Sequence, residues 1–313
     1  MTHVHWLRSC GFALCVVWLS ACSTSQSPVV AQHGPAGPPS GASAASPDAS
    51  GALLYVSDEG PNVVDIYSAA HPRSGPIGQI TDGIDVPDGM DVDANRDLYV
   101  SNASGNTVQV YAPGGTSPIR TYTQGLSAPI NVVVGKDGTL YVANNNGGAT
   151  FVVEYAPGSM TPSRKISSHP GFGSGVAVDG RGRLYISYHD SSGHGWVYRY
   201  RKGSTTGVNL NLATHTPAGL AIDRAGDLIV ADATLPAAIQ VFPPGATQPS
   251  QVVTDGVGNP FLLSLDAQET RLYVTDEFHT GLDVFTYPVV TFKFRLTGLT
   301  VPAGVALSRP VRL

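Results

Sequence analysis

Cysteine is nearly missing from this chain: three residues in 313, all within the first 22. That excludes a disulfide scaffold. Charge is also scarce, at 13% of residues against 42% hydrophobic, which excludes a disordered polyampholyte. No run of Lys or Arg occurs and the formal net charge is −5, so nucleic acid is not expected as a partner. The apolar run from Cys10 to Leu19 is too short to cross ~30 Å of hydrocarbon as a helix. Glycine (36) and proline (24) are abundant instead, and that density excludes coiled coils and helical bundles. What remains is a turn-rich β protein with enough chain for a sizeable core.

The chain start has one positive charge, Arg8, then the short apolar run, then Leu19-Ser20-Ala21-Cys22. This order has the length of a signal-peptide core. It resembles the bacterial lipobox, in which small residues precede a cysteine that is diacylated and becomes the new N-terminus. The resemblance implies that residues 1–21 are a lipoprotein signal peptide and that Cys22 carries membrane lipid. An ordinary secretory signal with an incidental cysteine, or an uncleaved anchor, is the alternative. Ser23 after the cysteine favours the outer membrane of a Gram-negative envelope, because an Asp there is the usual inner-membrane retention signal. Residues 23–52 are mostly Ser, Ala, Pro and Gly with a single charge, Asp48. Residues 22–52 therefore read as a lipidated cysteine and a flexible tether.

From Leu54 a short motif recurs. Leu54-Tyr55-Val56-Ser57-Asp58 is followed by related runs led by Leu98, Leu140, Leu184, Leu228 and Leu272, spaced 44, 42, 44, 44 and 44 residues apart. A fixed period of this size marks a repeat architecture. Each repeat holds four strand-like runs, here a, b, c and d. The a run is rich in Gly and Ala, as in Gly219-Leu220-Ala221-Ile222; b is the Leu-Tyr-Val run; c ends in Tyr or Phe; d is variable. Asp-Gly and Gly-x-Gly turns join a to b, and Pro-Gly follows c. Four antiparallel strands per repeat, set radially, make a β-propeller. Small residues in a suit the crowded axis, and near-continuous apolar runs suit blades covered on both faces.

The first repeat begins at b, and the chain ends just after an a run, Gly304 to Leu307. The last a strand is therefore expected to complete the first blade and close a six-bladed ring, removing two sheet edges. The expected fold is an all-β, six-bladed propeller over residues 53–313. Its P-x-G-x-A-x-D, G-x-L-Y-V-A-D/N and V-x-V-Y/F-x-P-G elements resemble NHL-repeat propellers, and more distantly regucalcin/gluconolactonase-like ones. That resemblance implies relatives that bind RNA or protein, act as receptor ectodomains, or work as metal-dependent lactonases, esterases or lyases.

In an a-b-c-d meander the b–c and d–a loops share one face and the a–b and c–d loops the other. His169 and His215 sort to d–a loops, His189, Asp190 and His194 to one b–c loop, and His279 to another. Only His71, of the histidines beyond residue 53, sorts to the opposite face. Many carboxylates and amides sort with the larger set, including Asp58, Asp88, Asn102, Asn144, Asp232 and Asp276. Three readings follow. Either His189, Asp190, His194, His215 and His279 hold a divalent metal, calcium or zinc, over the axis for hydrolase or lyase chemistry. Or they bind a polar ligand without metal. Or these polar groups cap turns and solvate loops. No G-x-S-x-G, H-E-x-x-H, Walker A or C-x-x-C motif occurs, so no catalytic residue is assigned. Phe172, Tyr188, Trp196, Phe261 and Phe278 lie near the histidine-bearing face, lining a ligand site or packing blades. The reading that results is a monomeric, lipid-anchored binding or scaffold module of the bacterial cell envelope. Its b–c/d–a loop face presents to a protein or glycan partner, and a metal-assisted enzyme is the alternative.

Overall fold

The structure is a computed structural model and describes residues 51–147 and 149–310, with backbone alone at 168–170. The expectations for the leader, for Cys22 and for nearly all of the tether lie outside those residues.

Strands follow one another along the described residues almost without helix. The first three are β1 (Leu53–Asp58), β2 (Val63–Ser68) and β3 (Gly78–Ile80), with one 3₁₀ turn, Pro72–Ser74, before β3. The next blade is β4 (Pro87–Val92), β5 (Leu98–Asn102), β6 (Thr107–Tyr111) and β7 (Pro118–Tyr122). The third is β8 (Pro129–Val134), β9 (Leu140–Asn146), β10 (Ala149–Tyr155) and β11 (Pro162–Pro170). The fourth is β12 (Val176–Val178), β13 (Leu184–His189), β14 (Gly195–Tyr200) and β15 (Gly207–Asn209). The fifth is β16 (Pro217–Ile222), β17 (Leu228–Asp232), β18 (Ala238–Phe242) and β19 (Gln251–Val253). The sixth is β20 (Pro260–Leu265), β21 (Arg271–Asp276), β22 (Gly281–Thr286) and β23 (Thr291–Leu296). The last strand, β24 (Pro302–Leu307), pairs antiparallel with β1 and completes the first blade in the order β24-β1-β2-β3. Six four-stranded antiparallel sheets result, each in a-b-c-d order as the repeat predicts. Each a strand touches the next, from β4 through β8, β12, β16 and β20 to β24 and back to β4, so the ring closes.

The apolar b runs are explained by what lies on either side of each blade. Leu53 and Tyr55 of β1 pack with Ile84, Met90, Leu98 and Val100 of the second blade. Leu54 and Val56, the alternate residues, pack with Tyr273, Leu282 and Val284 of the sixth. Side chains alternate across a strand, and here both faces are core. Each such fully buried side chain contributes about 1.5–3 kcal/mol. The tyrosines that would strand a hydroxyl in this core reach a neighbour's loop: Tyr111 donates to the Asp82 carbonyl at 2.7 Å, and Tyr55 accepts the Gly114 N–H at 3.3 Å.

Near the axis, strand a needs small residues because backbone crosses backbone. A Cβ on Gly219 would stand 2.5 Å from the Phe261 carbonyl oxygen and 2.8 Å from the Leu262 Cα of the next blade. Hydroxyls at the fourth position of b stitch blades together here. Ser57 accepts the Gly304 N–H at 2.6 Å and donates to the Asp88 carbonyl of the second blade at 2.7 Å. Thr275 accepts the Leu262 N–H at 3.0 Å and donates to the Ala303 carbonyl of the first blade at 2.9 Å.

Candidate functional site

The fifth residue of each Leu-Tyr-Val run decides how the b–c/d–a face is built. Asp58 accepts the N–H groups of Thr300 and Val301, each at 2.7 Å. Asn102 accepts the Asp85 N–H at 3.1 Å and donates to the Gly83 carbonyl at 2.8 Å. Asn144 accepts the Ser127 N–H at 2.8 Å. Asp232 accepts the N–H groups of His215 and Thr216, each at 2.9 Å. Asp276 accepts those of Gly258 at 2.7 Å and of Asn259 and His279 at 3.0 Å. Five buried side chains thus tie the d–a loop of their own blade to the end of strand b. The fourth blade departs from this grammar. Its b strand reaches Tyr188, whose ring is fully buried between blades, and the d–a loop is held by paired backbone bonds between Phe172 and His189, 2.8 and 2.7 Å.

His189, Asp190 and His194 share the β13–β14 hairpin, while His215 and His279 sit on loops of the fifth and sixth blades. His189 is the last residue of β13; its ring stacks on Phe172 with centroids 5.8 Å apart, and its Nδ1 is buried without a partner. Burial pushes its pKa below the usual histidine value, which favours the neutral ring. Asp190 accepts the N–H groups of Ser192 at 2.8 Å and His194 at 2.9 Å, a turn-closing role at the tip of the β13–β14 hairpin. The His194 backbone bond is the main reason its carboxyl lies below the ordinary range. His194 itself is largely exposed, its Nδ1 3.6 Å from Asp190. His215 is equally exposed, its Nδ1 3.5 Å from the capping Asp232. His279 is partly covered, its Nδ1 2.8 Å from Asp276. His169 lies within strand β11 rather than in a loop, and Asp88 lies within β4.

One group of metal-ligating type comes together among the described residues: Asp276, His279 and Asp283, with donor atoms within 4.8 Å of one another. It includes His279 but none of His189, Asp190, His194 or His215. Asp283 and Arg295, which sequence reasoning passed over, complete it. They stand opposite each other in the β22–β23 register, and Arg295 engages Asp283 through Nε at 2.5 Å and Nη2 at 2.9 Å. The same guanidinium lies 3.7 Å from Asp276 and donates to the Gly256 carbonyl at 2.8 Å. A divalent ion would have to displace or face that cation, so this donor set does not fit a metal. Its repeat position supports a structural role: Asp65 and Gln79 of the first blade, and Gln109 and Thr121 of the second, form the same c–d cross-strand pair at 2.8 and 2.6 Å. A polar residue in the middle of the c run was the signal that could have found Asp283.

Apolar groups, by contrast, reach solvent on this face. Phe278 (76% exposed) and Leu235 (65%) project from b–c loops, and Phe172 (42%) from a d–a loop. A groove of about 220 Å³ at the third blade is lined by Asn146, Thr150, Phe151 and Lys165. The Lys165 ammonium stands 3.8 Å above the Phe151 ring.

No family model matches the chain, and no curated protein does. Solved structures match most of its length. A chain in the crystal structure of a nidogen/laminin complex aligns with TM-score 0.67 at 16% identity, covering 82% of this chain and 98% of that one. Hydrazine synthase of Kuenenia stuttgartiensis aligns with TM-score 0.54 at 14% identity, covering 81% and 86%. At these identities the likeness is one of fold.

Proposed function

We propose that the chain is a binding module of the bacterial cell envelope, held to a membrane by lipid on Cys22. Its b–c/d–a loop face recognises a protein or a glycan. The observation that carries the reading is the contrast on that face. Its buried carboxylates and amides are engaged in fixing loops, while Leu235 and Phe278 on blades so fixed, and Phe172 on a loop held by backbone bonds to His189, are left in solvent. Aromatic anchors on a rigid scaffold suit recognition. The nidogen propeller, found in a complex with laminin, adds the precedent that this fold can serve such a role. The NHL-like repeat pattern agrees with it. The metal-assisted enzyme gains no support from the one donor group among the described residues, because the Arg295 guanidinium already engages both of its carboxylates.

The test places a photo-crosslinking side chain at Phe278, at Phe172 or at Val252, which lies on the outer rim, in the envelope-localised full chain. A discrete adduct at the first two positions and none at Val252 is expected. Equal labelling at all three, or none, overturns the reading. Cys22→Ser is expected to abolish membrane retention in the same cells, and a variant that stays fully lipidated excludes Cys22 as the anchor.

A further inference from the structure

The opposite face holds a cleft where the sixth blade meets the first. Its volume is about 470 Å³, within the range of small-ligand sites. The 3₁₀ turn of the first blade contributes His71, the buried Pro72 and Arg73, and the sixth blade contributes Arg271, Lys293 and Phe294. Arg271 opens β21 at its a–b end, and Lys293 and Phe294 lie on β23, on the far side of β22 in the same blade. Among the described residues no carboxylate lines this cleft, although the chain as a whole carries a net charge of −5.

The three cations are held but not neutralised. The Arg73 guanidinium lies over the Phe294 ring, 5.1 Å from its centroid. This stacking covers one flat side of the guanidinium and leaves its N–H edge free. Arg271 is half-buried beside Tyr273, whose hydroxyl is raised above the usual value by burial and pulled back by that arginine. Lys293 is exposed on the same wall. Among the described residues none of the three forms an ion pair with an acid, whereas Arg164, Arg183, Lys202, Arg224 and Arg295 each do. Three like charges converging on one concavity repel each other unless an anion enters.

We infer that this cleft is a binding site for a compact oxyanion ligand carrying two or more carboxylate or phosphate groups. The Arg73 and Arg271 forks match planar carboxylate and phosphate oxygens, and the Lys293 ammonium supplies a point charge. The site lies on the a–b/c–d face and is independent of the partner surface proposed above.

Isothermal titration of the purified full chain with pyrophosphate and, separately, with citrate tests it, at about 0.1 M salt so that long-range charge is screened. Saturable binding of at least one probe is expected, and the tighter of the two shows which oxyanion the site prefers. Arg73→Gln, Arg271→Gln and Lys293→Gln should each weaken it about tenfold, the loss of one charge-assisted contact. Arg73→Lys, which keeps the charge but loses the fork, should fall between. Arg181→Gln, an exposed arginine on the same face of the fourth blade, should bind as the unaltered chain does. Melting temperatures confirm that each variant is folded. No saturable binding of either probe by the unaltered chain, or equal binding by all the variants, overturns the proposal.

Discussion

At Asp276, burial and hydrogen bonding pull in opposite directions. Burial raises the carboxyl pKa, and the contacts from His279 and from the N–H groups of Asn259, His279 and Gly258 bring it down, to a net value below the ordinary 3.8. A depressed native pKa means that the ionised form is preferred by the fold. Its stabilisation is therefore complete above the unfolded pKa and disappears as pH falls through the native one. Asp276→Asn is expected to cost about 1–3 kcal/mol near neutral pH, because an amide accepts these donors less strongly and turns an N–H toward some of them. The gap should begin to narrow as the medium is acidified below the ordinary carboxylate value of 3.8, and should close only once pH has fallen through the depressed native pKa. Thermal unfolding of both chains across that range is the measurement, and a gap that does not change with pH would show that the charge of Asp276 contributes nothing. The same chemistry explains why the polar residues were ambiguous in the sequence. Asp58, Asp232 and Asp276 end their b runs as a set of metal ligands could, but the partners that occupy them are backbone N–H groups, which no residue letter announces.

At the scale of the strand, the a runs show how far repeat grammar reaches. Their Gly and Ala content was legible as crowding at the axis, and Gly219 shows the cause: the atoms its Cβ would meet are backbone, which cannot swing away. Gly219→Ala is expected to destabilise by about 1–3 kcal/mol. Gly180→Ala, in an a–b turn where the new Cβ would meet only the end of Lys136 at 3.4 Å, should be near neutral. Urea midpoints of the two variants check the contrast, and equal shifts would remove the axial argument. Exceptions to the grammar were not legible. Asn131, like Leu262 of the sixth blade, stands where the other four a runs have Gly, and it fits by donating to the Ser174 carbonyl of the next blade at 2.9 Å. Tyr188 stands where other b strands have Asp or Asn, and it is core rather than cap. Each departure depends on a neighbouring blade, so a single repeat read alone does not reveal it.

The whole ring depends on one long-range event, the return of β24 to β1. Leu54 faces Leu307 across the ladder, Tyr55 faces Ala306 and Val56 faces Val305. Around them the Leu53 N–H donates to the Ser308 hydroxyl at 2.9 Å, and the buried Asp58 accepts from residues more than 240 positions away. Contacts of that separation form late and reward the chain only once the ring is nearly complete. Without residues 302–313, β1 would present an open edge, and Leu54 and Val56 would lose Val305 from their packing. Deleting those residues is therefore expected to abolish the single cooperative unfolding transition. A synthetic peptide spanning residues 300–313, supplied in trans, should restore it by pairing with β1, and an unchanged transition in the deletion alone would mean that closure is dispensable. Closure also accounts for why the basic cleft was invisible in the sequence. Arg73 lies in the first blade while Arg271 and Lys293 lie in the sixth, so only the closed ring makes them neighbours. The deletion should accordingly lose oxyanion binding together with cooperativity, and the peptide should return both.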